Sequence, residues 1–374
     1  MNALILDRCL GNGYAFGLAA GLTRAGAAVT IGGPADWSAA GAVPLYRRGT
    51  PSGESRIRKG YEAAAGVVRA AHHGHCRPPD VLHVQWPTMA DLILAKTVKA
   101  VSSAPMILTL HNPIPRHPSD HAPLQEAAMR AAVAIVLHGP KSRADLLRRY
   151  PSVAEKVACI EHGNYEHLIT RSTRASARES LVIPPEEVVY AFVGNVRRRK
   201  GIELFIEALA DCRGAGARGI AFIVGAVDDS HYLADLKALA SRRAVDAFVR
   251  WYVCRGPVPQ AQLDLIVSSA DQVVLPFLGA SQSGSVIYAM THGRCVVTTA
   301  LGELPRTLRD RGILVEPGSH TSLAAAMRLA ASEPDHCAQL GERARQYAVT
   351  ELSWDRVGAQ TRLLYDRAVR GIVG

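Results

Sequence analysis

The sequence predicts an α/β protein built from two successive domains, each a doubly wound parallel sheet. Three observations predict it. The chain has 374 residues, enough for two domains of the usual ~100–200 residues. Short runs rich in Val, Ile and Leu alternate with Ala-rich segments of helical period, the pattern of strands buried on both faces. That alternation occurs twice, on either side of a polar, small-residue stretch.

In the first half the expected strands are Leu4–Leu6, Ala28–Ile31, Val81–Val84, Met106–Leu110, Ala134–Leu137 and Val157–Ile160. Helical stretches such as Ala15–Arg24, Glu62–His72 and Ala122–Ala132 separate them. The opening residues MNALILDRCLGNG have no basic region before a short apolar run broken by Asp7, and so read as a first strand rather than a signal peptide. Residues 171–180, RSTRASARES, and then Pro184 and Pro185 interrupt the alternation and suggest a linker over 171–187. The first domain is expected over 1–170. The second domain is expected over 188–350, with strands near 188–195, 220–225, 247–252, 271–276, 295–299 and 311–315. A last amphipathic helix is expected within 351–374.

Ligands of open parallel sheets bind beyond the carboxyl ends of the strands, so the strand ends hold the candidate site residues. Gly11 and Gly13 follow the first strand, but a lone GxG is weak evidence for phosphate binding. His83 and Trp86 lie at the end of the third strand, His111 and Asn112 at the end of the fourth, and His162 after the sixth. Each histidine has an ordinary reading as a hydrogen-bonded structural residue beside the reading as a cleft-facing group. His72, His73, His75 and Cys76 match no compact zinc spacing, and are expected in a loop before Pro78 and Pro79. No metal site is expected.

Residues 271–299 carry the most functional information. An apolar strand enters a Gly/Ser loop with Gln282, then a helix opens at Ser283, Gly284 and Ser285. A small-residue turn into a helix N-terminus presents N–H groups and a positive dipole end to an anion. Ordinary βαβ geometry is the competing reading. A second loop, Gly194 to Gly201, carries Asn195, Arg197, Arg198, Arg199 and Lys200, cations suited to phosphate oxygens.

The formal net charge is +10. Residues 1–170 carry 18 Lys and Arg against 12 Asp and Glu, and the remainder 25 against 21. The cluster Arg47, Arg48, Arg56, Arg58 and Lys59 suits an anionic membrane surface or a phosphorylated substrate. No nucleic-acid motif accompanies it, so nucleic acid is not an expected partner. Seven scattered cysteines without a CxxC pair suit a reducing compartment. A cytoplasmic protein, peripheral at the inner face of the cell membrane, is expected.

FVGNVRRRKG, followed by LPF, SGS, AM, G and VV in order, resembles the nucleotide-sugar glycosyltransferases of the two-domain GT-B fold, in particular group-1 type enzymes of bacterial polysaccharide and glycoconjugate synthesis. HVQWP, LTLHNPIPRH, IEHGNY and the C-terminal SWDRVGAQTRLLY extend the resemblance over nearly the whole chain. It implies two Rossmann-like domains facing across a cleft, with the last helix crossing back to the first. It implies transfer of a hexosyl group from a nucleoside diphosphate sugar, GDP- or UDP-linked, to a sugar or lipid-linked acceptor. By position, Arg197 and Lys200 hold the diphosphate, with backbone at Ser283, Gly284 and Ser285 and an approach from Gly13. Asn195 stands where relatives have Arg, and Gln282 is a further donor contact. His83, Trp86, Asn112 and His162 face the acceptor. His111 lies near the transferred sugar, and His111 or Asp120 is the general base if the reaction inverts. Protein cations replace a metal, so no cofactor is expected beyond the donor co-substrate. The chain departs from the family at Ala280 and Tyr288, where many members carry paired glutamates. Two alternatives therefore stay open: an epimerase or phosphorylase on the same fold, or a non-catalytic sugar-nucleotide binder.

Overall fold

A computed structural model describes residues 1–9, 13–34, 42–46, 56–114, 122–170 and 172–372, without the side chains of 56–60. Asp120 and the whole basic cluster (Arg47, Arg48 and the side chains of Arg56, Arg58 and Lys59) lie outside the described residues. The chain divides into two compact units, residues 1–163 with 352–374, and residues 164–351.

The first unit runs β1 (Asn2–Leu6), α1 (Tyr14–Arg24), β2 (Ala28–Pro34), β3 (Val43–Tyr46), α2 (Arg56–Cys76), β4 (Val81–Val84), α3 (Met89–Val101), β5 (Met106–Thr109), α4 (Ala122–Ala131), β6 (Ala134–Leu137), α5 (Pro140–Arg149) and β7 (Val157–Cys159). Its sheet has the order β3-β2-β1-β4-β5-β6-β7, and every pairing is parallel. Alternate side chains feed the two faces. Leu4, Leu6, Leu82 and Val84 join one core, and Ala3, Ile5 and Val81 the other. Covering both faces is what lets these strands be apolar throughout.

Two parts of this unit differ from the sequence expectation. Strand β3 holds Pro44 at the sheet edge, the one place where a missing N–H is tolerated. Its four residues carry no alternation from which it could be read. The His72–Cys76 run is the end of helix α2 rather than a loop, with Cys76 Sγ 3.7 Å from His72 Nδ1 one turn away.

The second unit runs α6 (Arg174–Ser180), β8 (Val188–Val193), α7 (Ile202–Gly214), β9 (Gly219–Ala226), α8 (Ser230–Arg242), β10 (Val249–Cys254), α9 (Gln260–Ser269), β11 (Gln272–Leu275), α10 (Gly284–Thr291), β12 (Cys295–Thr299), α11 (Leu304–Leu308), β13 (Ile313–Val315), α12 (His320–Ser332) and α13 (Pro334–Thr350). The parallel sheet has the order β10-β9-β8-β11-β12-β13. Helix α6 occupies the stretch read as linker. It has almost no apolar stripe and is held by polar ties instead. Thr173 caps its N-terminus at Ser176 N, and Arg178 bonds Asp271 at 2.6 Å and the carbonyls of Ser269 and Glu187. Asp271 in turn accepts from Val189 N at 2.7 Å, fastening α6 to the start of β8 and β11.

The chain then returns to the first unit as α14 (Trp354–Val369). Trp354, Val357, Leu364, Tyr365 and Ala368 lie at helical spacing on one face and join the core that holds Leu18 and Leu22 of α1. Gly21 of α1 and Gly358 of α14 meet backbone to backbone, and a Cβ on either would overlap the opposite main chain. Trp354 fills the space left by Gly17 and Gly163. Among the described residues no helix is long and apolar enough to cross a membrane.

Candidate functional site

Both sheets reverse their strand order once, at β1/β4 in the first unit and at β8/β11 in the second. Loops leave the two neighbouring strands in opposite directions at such a point, opening a crevice at the carboxyl edge. The candidate residues concentrate at these two places.

In the second unit the loops after β8 and β11 are knitted together. Gly194 follows β8 with φ 137°, and a Cβ there would stand 3.1 Å from Ser285 Oγ. Gly201 starts α7 with φ 66°, in the left-handed region, packed against the carbonyl of Pro276. Leu278 N donates to Arg199 O at 3.0 Å, and Lys200 Nζ stands 4.2 Å from the ring centre of buried Phe277. The Lys200 loop and the loop leading to α10 thus form one surface. At the start of α10, Ser283 is the N-cap and accepts from Val286 N, so Gly284 and Ser285 occupy the first turn, whose N–H groups lack helical acceptors. The Tyr165 hydroxyl packs on Gly284 where a Cβ would go. Gln282 Oε1 accepts from Ser283 N at 2.7 Å, leaving its Nε2 buried with no partner among the described residues.

The cations differ among themselves. Arg197 pairs with Asp228 at 2.6 Å, and Arg198 with Asp235 at 3.1 Å while lying over the Tyr232 ring. Asn195 is exposed beside them. Ala280 and Tyr288 hold no carboxylate. The Tyr288 hydroxyl is buried and donates to Asp264, which also accepts from Gln260 Nε2, His292 Nε2 and Thr170 N. Glu303, absent from the sequence-based candidates, is a buried carboxylate in the loop after β12. Its N–H donates to Ser281 O, and its side chain pairs with Arg306 at 3.2 Å. It lies just beyond an apolar strand, the same signal that marked the other candidates.

At the carboxyl edge of the first unit a chain of aromatic and polar groups is assembled from five strands. Trp86 stacks on His111 with centroids 4.4 Å apart and donates from Nε1 to Asp7 Oδ1 at 3.1 Å. Tyr14 of α1 meets His111 and His162 edge-on, at 4.8 and 4.9 Å. His138, which follows β6 and was not a sequence candidate, links the set. Its Nδ1 lies 3.1 Å from Ile160 O and its Nε2 3.1 Å from His111 Nδ1. A carbonyl only accepts, so His138 carries its proton on Nδ1 and its Nε2 accepts from His111 Nδ1–H. The remaining nitrogen of a neutral His111, Nε2, is then an acceptor, yet it faces Gln85 Oε1 at 3.3 Å while Gln85 Nε2 is buried without a partner among the described residues. Turning the Gln85 amide resolves the conflict, so that its Nε2 donates to His111. Burial keeps His111 neutral, with its pKa held well below the usual histidine value.

His83 is placed otherwise than expected of a cleft-facing group. It lies within β4, is 1% exposed, and has Nδ1 2.6 Å from Tyr365 Oη and Nε2 2.7 Å from Thr109 Oγ1. It joins α14 to the sheet, and burial lowers its pKa to about 3. His162 is also buried and donates from Nδ1 to Gly163 O at 2.7 Å, with a pKa of about 3 for the same reason. Asn112 is exposed next to His111. Gly13 takes φ 74° as the N-cap of α1. Asp7, also missed by sequence, ends β1 with no surface exposure. Its Oδ1 accepts from Cys9 N and Trp86, its Oδ2 has no partner among the described residues, and burial pushes its pKa up to about 6. Among the described residues no group of three His, Cys, Asp or Glu is placed to hold a metal ion.

Comparison with known proteins bears on both units. Residues 173–347 match the family model "Glycosyl transferases group 1", and residues 12–163 match "Glycosyltransferase Family 4". The chain belongs to the GT-B glycosyltransferases. A D-inositol 3-phosphate glycosyltransferase of Streptomyces bingchenggensis is 27% identical over 256 residues, covering 66% of this chain and 55% of that protein. The chain thus spans about half the length of that curated relative. Among solved structures, sucrose-phosphate synthase from Thermosynechococcus elongatus aligns with a TM-score of 0.79 at 19% identity, covering 99% of this chain and all of that one. Anabaena HepE, in complex with UDP and glucose, aligns with a TM-score of 0.77 at 18% identity, covering 98% and 99%. At these identities the structural matches speak for the fold.

Proposed function

We propose that this chain transfers a glycosyl group from a nucleoside diphosphate sugar to an acceptor hydroxyl. The observation that carries the reading is the knitted pair of loops at the β8/β11 switch point, which sets Lys200 and the N-terminus of α10 on one surface. Charge grows on the leaving diphosphate as the glycosidic bond breaks. A fixed ammonium and helix N–H groups stabilise that charge more in the transition state than in the ground state. Arg197 joins them by exchanging Asp228 for phosphate, and Asn195 lines the same loop. No metal is part of this reading. With Tyr288 turned to Asp264, the sugar hydroxyls are left to Gln282, whose buried Nε2 is a donor in want of an acceptor. A UDP- or GDP-sugar is the donor we propose; the Anabaena structure of the same fold holds UDP and glucose.

The first unit receives the acceptor at Trp86, His111, Asn112 and His162. His111 meets an acceptor hydroxyl by giving up its Nε2 contact with Gln85 to it, and Asp120 is the other candidate base. The basic first half supports a lipid-linked acceptor at the inner face of an anionic membrane, in polysaccharide or glycoconjugate synthesis. Flotation with anionic liposomes at low salt checks that last point; protein left at the bottom refutes it.

Incubation with UDP-, GDP-, ADP- and dTDP-sugars and acceptor extracts is expected to release nucleoside diphosphate, with Lys200→Ala reducing release at least tenfold. Release without dependence on Lys200 contradicts the site. The absence of a carboxylate at Ala280 and Tyr288 favours one second reading, a sugar-nucleotide binder. Tight donor binding with no turnover would support it.

A further inference from the structure

We propose that Cys295 and Cys337 form an oxidation site that a hydroperoxide converts to an intramolecular disulfide. The site is independent of the transferase reading, because it lies at the amino end of β12, where α13 packs, and not at the carboxyl edge. The two thiols belong to one small buried cluster with Leu340. Gln272 Nε2 donates to the Cys337 sulfur at 3.5 Å. Both cysteines also line a pocket of about 380 Å³, with Arg174, Asp271, Arg294 and Asp335 among its other walls, so a small polar oxidant has a route to them.

Buried Cys212 and half-buried Cys254 are arranged differently. Cys212 donates to Ala324 O and Cys254 to Gly256 O, contacts that hold the proton on sulfur. Cys337 is an acceptor instead. The neighbouring Cys295 thiol, and then Gln272, pull its pKa below the usual thiol value against burial and the charges of Asp271 and Glu333. The nearness of Cys337, and then burial, raises that of Cys295. Cys337, the sulfur that accepts from Gln272, is thus the attacking group of the proposal, and Cys295 in the same cluster is the resolving thiol.

The atoms balance in two steps. Cys337 thiolate attacks one peroxide oxygen; the S–O bond forms, the O–O bond breaks, and the departing hydroxide takes up a proton as water, or as an alcohol from an organic hydroperoxide. The Cys295 sulfur then attacks the sulfenic acid; the S–S bond forms, the S–O bond breaks, and water leaves with the Cys295 proton. Two thiols are oxidised and one hydroperoxide is reduced.

The test uses the full chain, reduced, freed of reductant and exposed to hydrogen peroxide. Remaining thiols are then alkylated in denaturant and the digest is read by mass spectrometry without reduction. The expected result is a linked peptide pair containing Cys295 and Cys337, lighter than the two free peptides by two hydrogen atoms and separated again by dithiothreitol. Cys295→Ser is expected to halt at a Cys337 sulfenic acid that dimedone captures. Cys337→Ser is expected to leave Cys295 alkylated. Alkylation of both residues in the unmutated protein, after exposed Cys9, Cys76 and Cys159 have reacted, would overturn the proposal. So would conversion of Cys337 to a sulfinic acid with Cys295 unlinked. The decisive readout is on the unmutated chain, so a variant that fails to fold does not shelter the idea.

Discussion

Replacing Gly201 by alanine tests whether the two loops of the second unit form one rigid surface. Gly201 has φ 66°, and an L-residue in the left-handed region costs about 1–2 kcal/mol. Its added methyl would also fall inside the contact distance of the Pro276 carbonyl at the end of β11. That carbonyl belongs to the main chain and cannot swing away like a side-chain tip, so overpacking adds about 1–3 kcal/mol. Gly216 supplies the control. It has φ 84° but nothing within 4 Å of the Cβ position, so Gly216→Ala carries the backbone cost alone. For a unit of this size 1 kcal/mol moves Tm by ~2–4 °C. Gly201→Ala is therefore expected to melt ~2–12 °C below Gly216→Ala in calorimetry. It is also expected to bind nucleoside diphosphate more weakly, while Gly216→Ala binds it as the parent does. Equal melting temperatures for the two variants would refute the claimed contact, and with it the idea that the loops hold each other.

Three further outcomes are expected. Lys200→Ala should weaken binding of UDP or GDP in titration calorimetry by about tenfold or more, the loss of a charge-assisted contact of ~1.5–3 kcal/mol, with Tm nearly unchanged; unaltered affinity would remove Lys200 from the site. Asp7→Asn should stabilise the protein, by an amount that depends on pH. The folded pKa of Asp7 lies above its unfolded value of 3.8, at about 6, so the native state binds the extra proton and loses stability as pH rises between those values. The advantage of Asn should thus be absent below pH 4, grow to about 3 kcal/mol near pH 6 and level off above it; an advantage constant from pH 3 to 8 would contradict the burial argument. Trp354→Ala should cost about 3–5 kcal/mol, because the indole is buried against Tyr14, Gly17 and Gly163. Proteolysis should then release fragments from the first unit before the second, and an unchanged first-unit melting transition would contradict it.

The alternation of apolar runs with helical segments was legible because a parallel sheet buried on both faces must be written in Val, Ile and Leu. Strand β3 was not, since a four-residue edge strand containing Pro44 has neither the run nor the alternation. Helix α6 was hidden for a related reason: Arg178, Arg174 and Asp271 hold it through polar contacts that no hydrophobic pattern records. At the candidate site, glycines and cations marked the loops after β8 and β11, but their contact through Arg199 O, Leu278 N and Phe277 depends on three-dimensional neighbours. The rule that polar residues end apolar strands pointed to His111 and His162. Applied evenly it also marks Asp7, His138 and Glu303, which a focus on motifs passed over. It misplaced His83, which precedes the end of β4 by one residue, so that its side chain enters the core beside Tyr365.

Hydrogen exchange of the second unit with and without nucleoside diphosphates tests the central claim most directly. UDP, GDP, ADP and dTDP would each be added in turn to the full chain. At least one is expected to slow exchange in residues 194–201 and 277–286 together, because the two loops share one surface and one anion. Protection confined to the opposite edge of the sheet, around 292–295 and 334–338, would contradict the account, as would no protection by any of the four.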